Sequence, residues 1–424
     1  MKEICLLNDS FPPEIDGVAN TVVNYAQILK KRNIPVSVIT PECANADDSA
    51  FGFPILRYPS MDLRNKVGYT AGIPFSYRPL SGLEGHDVGL LHSHCPIASN
   101  ALARSLRESL GVPLVMTYHT KFDIDIQSIL HLKLLQEASI QALVGSISAC
   151  DEVWAVSRGA GENLRKLGYE GDYVVMENGV DIPKGRLPEE EIRRYTEDFD
   201  LPGGTAVFLY VGRLMWYKGI RLILDALSAL RSQALDFRMV FVGSGTDEEE
   251  IRKYSGQLGL EGKCFFTGPV TDRRKLAAWY CRADLFLFPS TFDTSGLVVK
   301  EAAACSLASV LVKGSCAAEG AVHGRNSFLI EENASSLAVC LAMLINDRPR
   351  MAEAGEKAAE ELYVSWDDAI GKAIDRYGIV MENYAAGKYA GHHRPVDRIF
   401  KLEAALDEAL AELESRIGGE NNLF

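Results

Sequence analysis

The feature that most constrains the fold is an alternation of two kinds of apolar segment along the 424 residues. Short runs rich in β-branched and aromatic residues alternate with longer runs whose apolar residues follow the helical period. This pattern predicts parallel sheets with helices on both faces. It occurs twice, on either side of the polar, proline-bracketed segment 183–204. We therefore predict an α/β protein with two doubly wound, Rossmann-like domains and a ligand cleft between them.

The predicted elements can be given individually. The strands expected in the first half are Ile4–Asn8, Val36–Thr40, Ile55–Tyr58, Val88–His92, Leu114–Tyr118, Val153–Val156 and Tyr173–Met176. Those of the second half are Val207–Val211, Met239–Val242, Cys264–Phe266, Leu285–Phe288, Ser309–Leu311 and Ser327–Ile330. The main helices expected in the first half are Val18–Lys31, Ile97–Leu110 and Ile126–Ser148.

The last sixty residues form an all-helical extension in this prediction. We expect domains at 1–190 and 191–365, a helix over Trp366–Tyr384 within 366–385, and a helical tail over 386–424. The tail contains a second helix, Arg398–Ile417, with Leu402, Leu406, Leu410 and Leu413 on one face. That stripe is expected to contact the body of the protein, and an oligomer contact is the alternative.

Composition excludes several classes of function. The net charge of −13 argues against DNA or RNA as a main partner, because phosphate binding needs clustered Lys and Arg. The longest apolar stretch has about ten residues, half of what a membrane span requires. The start of the sequence lacks the features of a signal peptide. The nine cysteines form no CxxC pair, so we expect a cytoplasmic protein with reduced thiols and no structural zinc.

Two βα turns have features that could bind an anion. The segment NDSFPPEIDGVANTVVNY (8–25) runs from a strand through a turn to Gly17 and a helix. Glycine allows a ligand to approach the backbone, and a helix N-terminus favours negative charge. In the second half, VGRLMWYKG (211–219) places Arg213 and Lys218 before a helix, which suits a diphosphate. An ordinary βα turn and a solvated loop are the alternatives.

The segment FPSTFDTSGLVVKEAAAC (288–305) carries the strongest chemical signal. It predicts a strand, a polar loop with Asp293, and a helix with Glu301 about two turns inside it. Open amides at the helix start could bind phosphate or sugar oxygens. A carboxylate on an apolar helix face is costly unless paired, so Glu301 is expected to have a specific partner such as ribose hydroxyls. For Asp293, the alternative is a plain helix cap.

We expect neither a metal site nor a cofactor. His119 follows a predicted strand and should face the cleft, although a lone histidine is more often structural. Asp123 and Asp125 form a DxD pattern without a third ligand candidate nearby, and His92 and His94 lack one as well. No GxGxxG follows a predicted strand, so a dinucleotide fingerprint is absent.

Taken together, these motifs resemble those of the family 4 glycosyltransferases, retaining enzymes of GT-B fold that use nucleotide sugars. The resemblance covers about residues 1–385. It rests on FPPEIDGV, ENGVD (177–181), GRLxxxKG, the D/E-x7-E segment and AAEGAVHGRNSFLI (317–330), in this order and spacing. A helix that crosses back to the first domain, here Trp366–Tyr384, is also typical of that fold.

The resemblance implies a role for each candidate residue. Arg213 and Lys218 would hold the donor diphosphate, and Gly17 would let the first loop approach it. Glu301 would hold the nucleotide ribose, and Asp293 the hydroxyls of the donor sugar.

The remaining roles concern backbone amides and a histidine. His119 would bond the donor sugar near the reacting centre. The amides that would assist Asp293 are those of Thr294, Ser295, Gly296 and Leu297. Such a site needs no metal, because cations and open amides stabilise the leaving diphosphate.

The sequence departs from the family pattern at four positions. Asp293 replaces the usual Glu, and Asp16 stands where many members have glycine. Ser306 and Ala308 replace a common Gly and Pro. The Asp16-Gly17-Val18 version resembles the branch that glucosylates diacylglycerol and related lipid mannosyltransferases.

The expected activity is transfer of a hexose, with UDP-glucose as the donor, to a membrane lipid such as diacylglycerol. A lipid acceptor requires contact with the inner face of the plasma membrane. The basic and aromatic segment 57–79, with Arg57, Arg64, Lys66 and Arg78, is the candidate surface, and an acceptor loop is the alternative. The rival functions are a transferase for a soluble saccharide or small molecule, an epimerase acting on the sugar nucleotide, and a catalytically silent nucleotide-sugar-binding subunit.

Overall fold

The computed structural model describes residues 1–14, 16–62, 70–74, 78–122, 126 and 132–389. These residues form two compact units. One consists of residues 1–177 together with the helix Trp366–Ala385, and the other is Asn178–Ser365. Both are α/β units with a parallel sheet, as the alternating sequence pattern predicts.

The first unit is built on a seven-stranded parallel sheet of order β3-β2-β1-β6-β7-β8-β9. Its strands and a small antiparallel pair, β4–β5, are β1 (Glu3–Leu7), β2 (Val36–Pro41), β3 (Ile55–Tyr58), β4 (Ser60–Asp62), β5 (Thr70–Gly72), β6 (Val88–Ser93), β7 (Leu114–Tyr118), β8 (Glu152–Ala155) and β9 (Tyr173–Val175). Its helices are α1 (Gly17–Lys31), α2 (Arg78–Gly82), α3 (Ala98–Leu110), α4 (Lys133–Ser148) and α5 (Arg158–Lys166). The central strands are buried along their whole length, which a sheet covered on both faces requires.

The second unit has a six-stranded parallel sheet of order β12-β11-β10-β13-β14-β15. Its strands are β10 (Ala206–Val211), β11 (Phe237–Val242), β12 (Cys264–Gly268), β13 (Leu285–Phe288), β14 (Ser309–Val312) and β15 (Ser327–Ile330). Its helices are α6 (Glu189–Thr196), α7 (Ile220–Ser232), α8 (Glu248–Gln257), α9 (Arg273–Arg282), α10 (Leu297–Ala304), α11 (Ala334–Leu344) and α12 (Arg348–Glu361). The strand order reverses between β10 and β13, and this reversal locates the ligand crevice in sheets of this kind.

Helix α13 (Trp366–Ala385) belongs to the first unit although it follows the second in sequence. Arg376 makes a bidentate ion pair with Glu152 on β8, at 2.7 and 2.8 Å. The Tyr377 hydroxyl lies 2.6 Å from Nδ1 of His92, and its ring stacks on Trp154 at 5.3 Å. Buried polar contacts therefore hold this helix against the sheet.

The first unit differs from the predicted elements in two places. The segment 57–79 contains the short pair β4–β5, where the sequence predicts only a loop. The predicted helix Ile126–Ser148 is interrupted, because Leu132 has an extended backbone and α4 begins at Lys133. The predicted tail helix Arg398–Ile417 lies outside the described residues, and within those residues no helix is long and apolar enough to cross a bilayer.

The buried contact of α13 gives a stability prediction. Tyr377→Phe should destabilise the protein by about 1–3 kcal/mol, because Nδ1 of fully buried His92 loses its partner. Urea denaturation followed by circular dichroism measures this change. Ile379→Ala is the matched control on an exposed position of the same helix and should stay within about 0.5 kcal/mol of wild type. Equal effects of the two variants would contradict the assigned contact.

Candidate active site

A cavity of about 270 Å³ lies at the carboxyl ends of β10 and β13, where the strand order reverses. Its lining residues come from the loops that follow these two strands and from the start of α10. Among them are Arg213, Lys218, Asp293, Thr294, Ser295, Gly296 and Leu297. The structure thus brings together the two cations, the carboxylate and the helix start that the sequence singles out.

Two glycines allow the loops around this cavity to approach each other. Gly219, at φ +79°, directly follows Lys218, and a β-carbon there would lie 2.7 Å from the carbonyl oxygen of Pro289. Gly243, at φ +135°, would place a β-carbon 2.0 Å from the carbonyl oxygen of Gly212. Any side chain at either position would push the loops apart.

Lys218 and Asp293 form a short ion pair in the cavity wall. The Nζ of Lys218 donates to Oδ1 of Asp293 at 2.7 Å, and the two side chains are 8% and 24% exposed. A short 3-10 turn, Trp216–Lys218, orients the lysine. The rings of Tyr217 and Phe292 flank it, each with its centroid 5.4 Å from Nζ. This pairing corrects the alternative that Asp293 is a plain helix cap.

The second carboxylate oxygen of Asp293, Oδ2, differs from Oδ1 in its contacts. Oδ2 is buried and has no hydrogen-bond partner among the described residues. An unpaired buried carboxylate oxygen costs free energy, so such groups are usually satisfied by protein, water or ligand. Because Asp293 lines the cavity, a hydroxyl group bound there could satisfy Oδ2.

Helix α10 begins at the cavity without a side-chain cap. Its N-cap is Gly296 at φ +56°, where a β-carbon would lie 2.9 Å from the Cα of Ala317. The first amides of a helix have no partner within the helix, and they carry a partial positive charge. The exposed Arg213 adds a cation at the same cavity. These groups can bind an anion.

Glu301 lies one turn into α10, because the helix begins at Leu297 rather than at 294–296. Its carboxylate accepts hydrogen bonds from the Tyr280 hydroxyl at 2.9 Å and from Nη1 of Arg273 at 3.4 Å. Burial raises the pKa of Glu301, and the charge of Arg273 and the bond from Tyr280 oppose that shift. The specific partners that the sequence predicts therefore include protein groups, and Glu301 is outside the lining of the 270 Å³ cavity.

In the first unit, Gly17 opens helix α1, as the sequence predicts. The N-cap is Asp16, whose carboxylate accepts from the amides of Val18 and Ala19 at 2.7 Å each. Ser10 donates to its other oxygen at 2.6 Å. Apart from the local backbone, no atom of the described residues lies within 4 Å of a β-carbon built on Gly17. The anion-attracting end of α1 is thus partly satisfied by the protein's own carboxylate.

His119 follows β7 and is buried beside a second histidine. Its Nε2 lies 3.0 Å from Nδ1 of His94, and the two rings stack. Burial lowers the pKa of His119 to about 4, although the charge of Asp16 opposes the shift. His92 is bonded to Tyr377 and to Thr117, so it has a structural role. At neutral pH the imidazole of His119 is therefore uncharged, and it can donate or accept a hydrogen bond as a neutral ring.

Among the described residues, no group of three His, Cys, Asp or Glu side chains could hold a metal ion. Asp123 and Asp125, the DxD of the sequence, lie outside the described residues.

Sequence reasoning missed the residues that hold the site together. Tyr280 and Arg273 lie on α9 and reach Glu301 only through the fold. Tyr217 and Phe292 flank Lys218 from two different loops. The aromatic residue beside each charged residue, in WYKG and TFDT, is the signal that could have identified the second pair.

Comparisons with known proteins agree with this architecture. Two family models match consecutive parts of the chain: Glycosyltransferase Family 4 over residues 15–184 and Glycosyl transferases group 1 over residues 191–361. The chain is 29% identical to D-inositol 3-phosphate glycosyltransferase 2 of Catenulispora acidiphila, over 72% of this chain and 74% of that protein. It is 23% identical to alpha-monoglucosyldiacylglycerol synthase of Streptococcus pneumoniae, over 71% and 69%.

Solved structures show the same fold. Sucrose-phosphate synthase from Thermosynechococcus elongatus aligns with a TM-score of 0.72 at 18% identity, covering 90% of this chain and all of that one. Anabaena HepE, solved in complex with UDP, aligns with a TM-score of 0.69 at 20% identity, covering 89% of this chain and all of that one. The predicted fold class is confirmed. The protein is a glycosyltransferase of GT-B type, and the chain belongs to glycosyltransferase family 4.

Proposed function

We propose that the protein transfers a hexose, with UDP-glucose as the donor, to a hydroxyl of a membrane lipid such as diacylglycerol, with retention of anomeric configuration. The unpaired Oδ2 of Asp293, buried beside Lys218, is the observation that carries the proposal. It is an acceptor for a sugar hydroxyl, and it lies next to the groups that suit a diphosphate.

The proposed chemistry depends on the charge that develops as the glycosidic bond breaks. The leaving nucleoside diphosphate gains negative charge, and preorganised cations and amides stabilise it. Lys218 and Arg213 supply the positive charge, and the first amides of α10 supply donors. Because these groups already neutralise the leaving group, no metal ion is needed in the proposed reaction.

Glu301 is proposed to hold the nucleotide ribose. A ribose offers two neighbouring hydroxyls, which suit the two oxygens of one carboxylate. Tyr280 and Arg273 keep the carboxylate in place through the bonds described above. The desolvation that raises its pKa also strengthens its hydrogen bonds to a ligand.

The first unit is proposed to contribute Gly17 and His119. Gly17 leaves space at the start of α1 for the donor diphosphate, since among the described residues no side chain and no backbone from outside this turn comes within 4 Å of its β-carbon position. His119, uncharged at neutral pH, would bond a donor hydroxyl rather than act as an acid. In the proposed reaction the leaving phosphate deprotonates the acceptor, so no general base is required.

The acceptor proposal draws on the relatives and on one exposed surface. Relatives include alpha-monoglucosyldiacylglycerol synthases of Streptococcus pneumoniae and Acholeplasma laidlawii. Leu132, Leu134 and Leu135 are 66%, 77% and 48% exposed at the start of α4, which suits contact with acyl chains. A protein with this surface would act in the cytoplasm at the inner face of the membrane.

The basic segment 57–79 supports membrane contact less than its sequence suggests. Arg57 is paired with Asp48 at 2.8 Å and is 12% exposed. Arg78 is paired with Glu42 at 2.7 Å. Arg64 and Lys66 lie outside the described residues. The proposed contact therefore relies on the exposed leucines.

Removing the lysine charge tests the diphosphate site. Lys218→Ala should lower kcat about 10²–10³-fold, because one preorganised cation at the leaving group is lost. Initial rates of donor turnover measure the effect, and thermal unfolding verifies that the variant is folded. Lys313→Ala, on an exposed lysine of the same unit, should match wild type. A Lys218→Ala rate within threefold of that control would refute the assignment.

Replacing Glu301 should separate stability from activity. Glu301→Gln should lower kcat/KM about 10–100-fold, as expected for lost hydrogen bonds from a ribose to a charged acceptor. The same variant should be more stable than wild type at pH 8, because folding raises the pKa of Glu301 and thus opposes its ionised form.

The sign of this stability difference depends on pH. Above the folded pKa the wild type carries the full cost of the buried charge. Well below the ordinary glutamate pKa of 4.5, both the folded and the unfolded state are protonated, and this cost disappears. Melting temperatures between pH 4 and 8 measure it. Glu353→Gln, on an exposed glutamate of α12, is the control and should show no such trend. A Glu301→Gln variant less stable than wild type at pH 8 would count against the assignment.

Donor and acceptor are tested together with purified protein. UDP-glucose, UDP-galactose and GDP-mannose are each supplied with anionic liposomes that contain diacylglycerol, or with D-inositol 3-phosphate. We expect α-glucosyl diacylglycerol, identified by mass spectrometry and NMR, at a rate that EDTA leaves unchanged. Transfer only to inositol phosphate would establish a soluble acceptor. UDP binding without turnover of any donor would indicate a silent subunit, and EDTA inhibition reversed by Mg²⁺ would refute metal independence.

A further inference from the structure

Two buried cysteines of the second unit lie at the C-terminal ends of α9 and α10. Helix α10 contains Glu301, and α9 carries the side chains that donate to it. Cys281 is in the last turn of α9 and is 1% exposed, and Cys305 caps the end of α10 and is fully buried. The Cys305 thiol faces α9: its Sγ lies 3.8 Å from the carbonyl oxygen of Ala277, one turn before Cys281. Ala277 and Cys281 are four residues apart and share one face of α9, so the Cys305 sulfur packs against the face that carries Cys281. Both cysteines are free thiols.

A second cavity gives small molecules access to this pair. It has a volume of about 450 Å³ and lies at the opposite end of the sheet from the candidate active site, beside Thr205 and Asp284, which precede β10 and β13. Cys281 forms part of its wall. Three arginines also line the cavity: Arg186, Arg282 and Arg348.

The surroundings of Cys281 favour its thiolate. The neighbouring Cys305 thiol favours this thiolate, as do the amide of Leu187, which donates to the Cys281 sulfur at 3.4 Å, and the charge of Arg186. Together these lower the pKa of Cys281 to about 7, against the effect of burial. The neighbouring Cys281 and burial raise the pKa of Cys305 well above its usual range. A thiolate next to a thiol is the arrangement of a reactive and a resolving cysteine.

We propose that Cys281 and Cys305 are a redox-active dithiol, in which Cys281 reacts with peroxide through the 450 Å³ cavity and Cys305 resolves the product as a disulfide. The Cys281 thiolate attacks one oxygen of hydrogen peroxide, the O–O bond breaks, and protonation releases water and leaves a sulfenic acid. The Cys305 sulfur then attacks the sulfenic sulfur and forms the S–S bond. The departing hydroxyl takes the Cys305 proton as water. In total, two thiols are oxidised, and one peroxide is reduced to two waters.

The disulfide would join two helices at a point that matters for Glu301. Cys281 follows Tyr280, whose hydroxyl is bonded to Glu301, and Cys305 is one turn beyond Glu301 on α10. A covalent link between these helix ends would restrain the position of the carboxylate. Oxidation should therefore change the affinity for the donor, and this consequence rests on the proposed function of Glu301.

Mass spectrometry tests the thiol chemistry without any activity assay. The full-length protein is treated with hydrogen peroxide, and the peptides are mapped before and after reduction. We expect a Cys281–Cys305 disulfide that dithiothreitol reverses. In Cys305→Ser, Cys281 should stop at a sulfenic acid that dimedone traps, whereas Cys281→Ser should form neither product.

Cys264 provides the internal control. It is more exposed than Cys281, but burial raises its pKa to about 12. At pH 7.5, iodoacetamide should therefore modify Cys281 faster than Cys264 in the untreated wild type. The absence of the disulfide, or slower labelling of Cys281 than of Cys264, would overturn the proposal.

Donor binding separates the two parts of the inference. UDP affinity is measured by calorimetry for the reduced protein, the oxidised protein and oxidised Cys281→Ser. We expect at least a threefold change between the first two and none for the variant. A disulfide that forms without a change in UDP affinity would support the dithiol and overturn its coupling to Glu301.

Discussion

A parallel sheet must be covered by helices on both faces, and the rest of this structure depends on that constraint. Parallel neighbours must be joined by a crossover, in most cases through a helix, so the loops collect at the two ends of the sheet. Where the strand order reverses, between β10 and β13, neighbouring loops diverge and leave a crevice. The candidate active site lies there. The position of its functional side chains is therefore determined by the topology of the sheet and not by contacts specific to a ligand.

The protein has a net charge of −13, so the positive charge in that crevice comes from individual side chains and not from the protein as a whole. Lys218 is almost buried, which is tolerable because Asp293 neutralises it at 2.7 Å. Oδ2 of Asp293 has no hydrogen-bond partner among the described residues. A hydroxyl bound in the crevice could therefore donate to it. Glu301 is treated differently, because protein donors satisfy both of its oxygens while burial still opposes its charge.

The sequence was sufficient for the sheets and for the residues at their carboxyl ends. The spacing of apolar residues and the residue types of turns are local features of the sequence. They predict every strand of the two large sheets within a few residues. The partners of those residues depend on contacts far apart in sequence. Tyr280 is 21 residues from Glu301, and Phe292 is brought to Tyr217 by two separate loops. The break at Leu132 and the short pair β4–β5 were missed because neither has a period long enough to recognise.

The position of α13 has a consequence for how the chain is made. In sequence, the second unit is an insertion between β9 and the last helix of the first unit. Arg376 and Tyr377 complete the contacts of Glu152 and His92, yet they leave the ribosome only after residues 178–365. During synthesis Nδ1 of His92 therefore lacks its Tyr377 partner until the last helix has emerged, while the second unit can fold at once from contiguous chain. The first unit is therefore the first to be synthesised and the last to be completed.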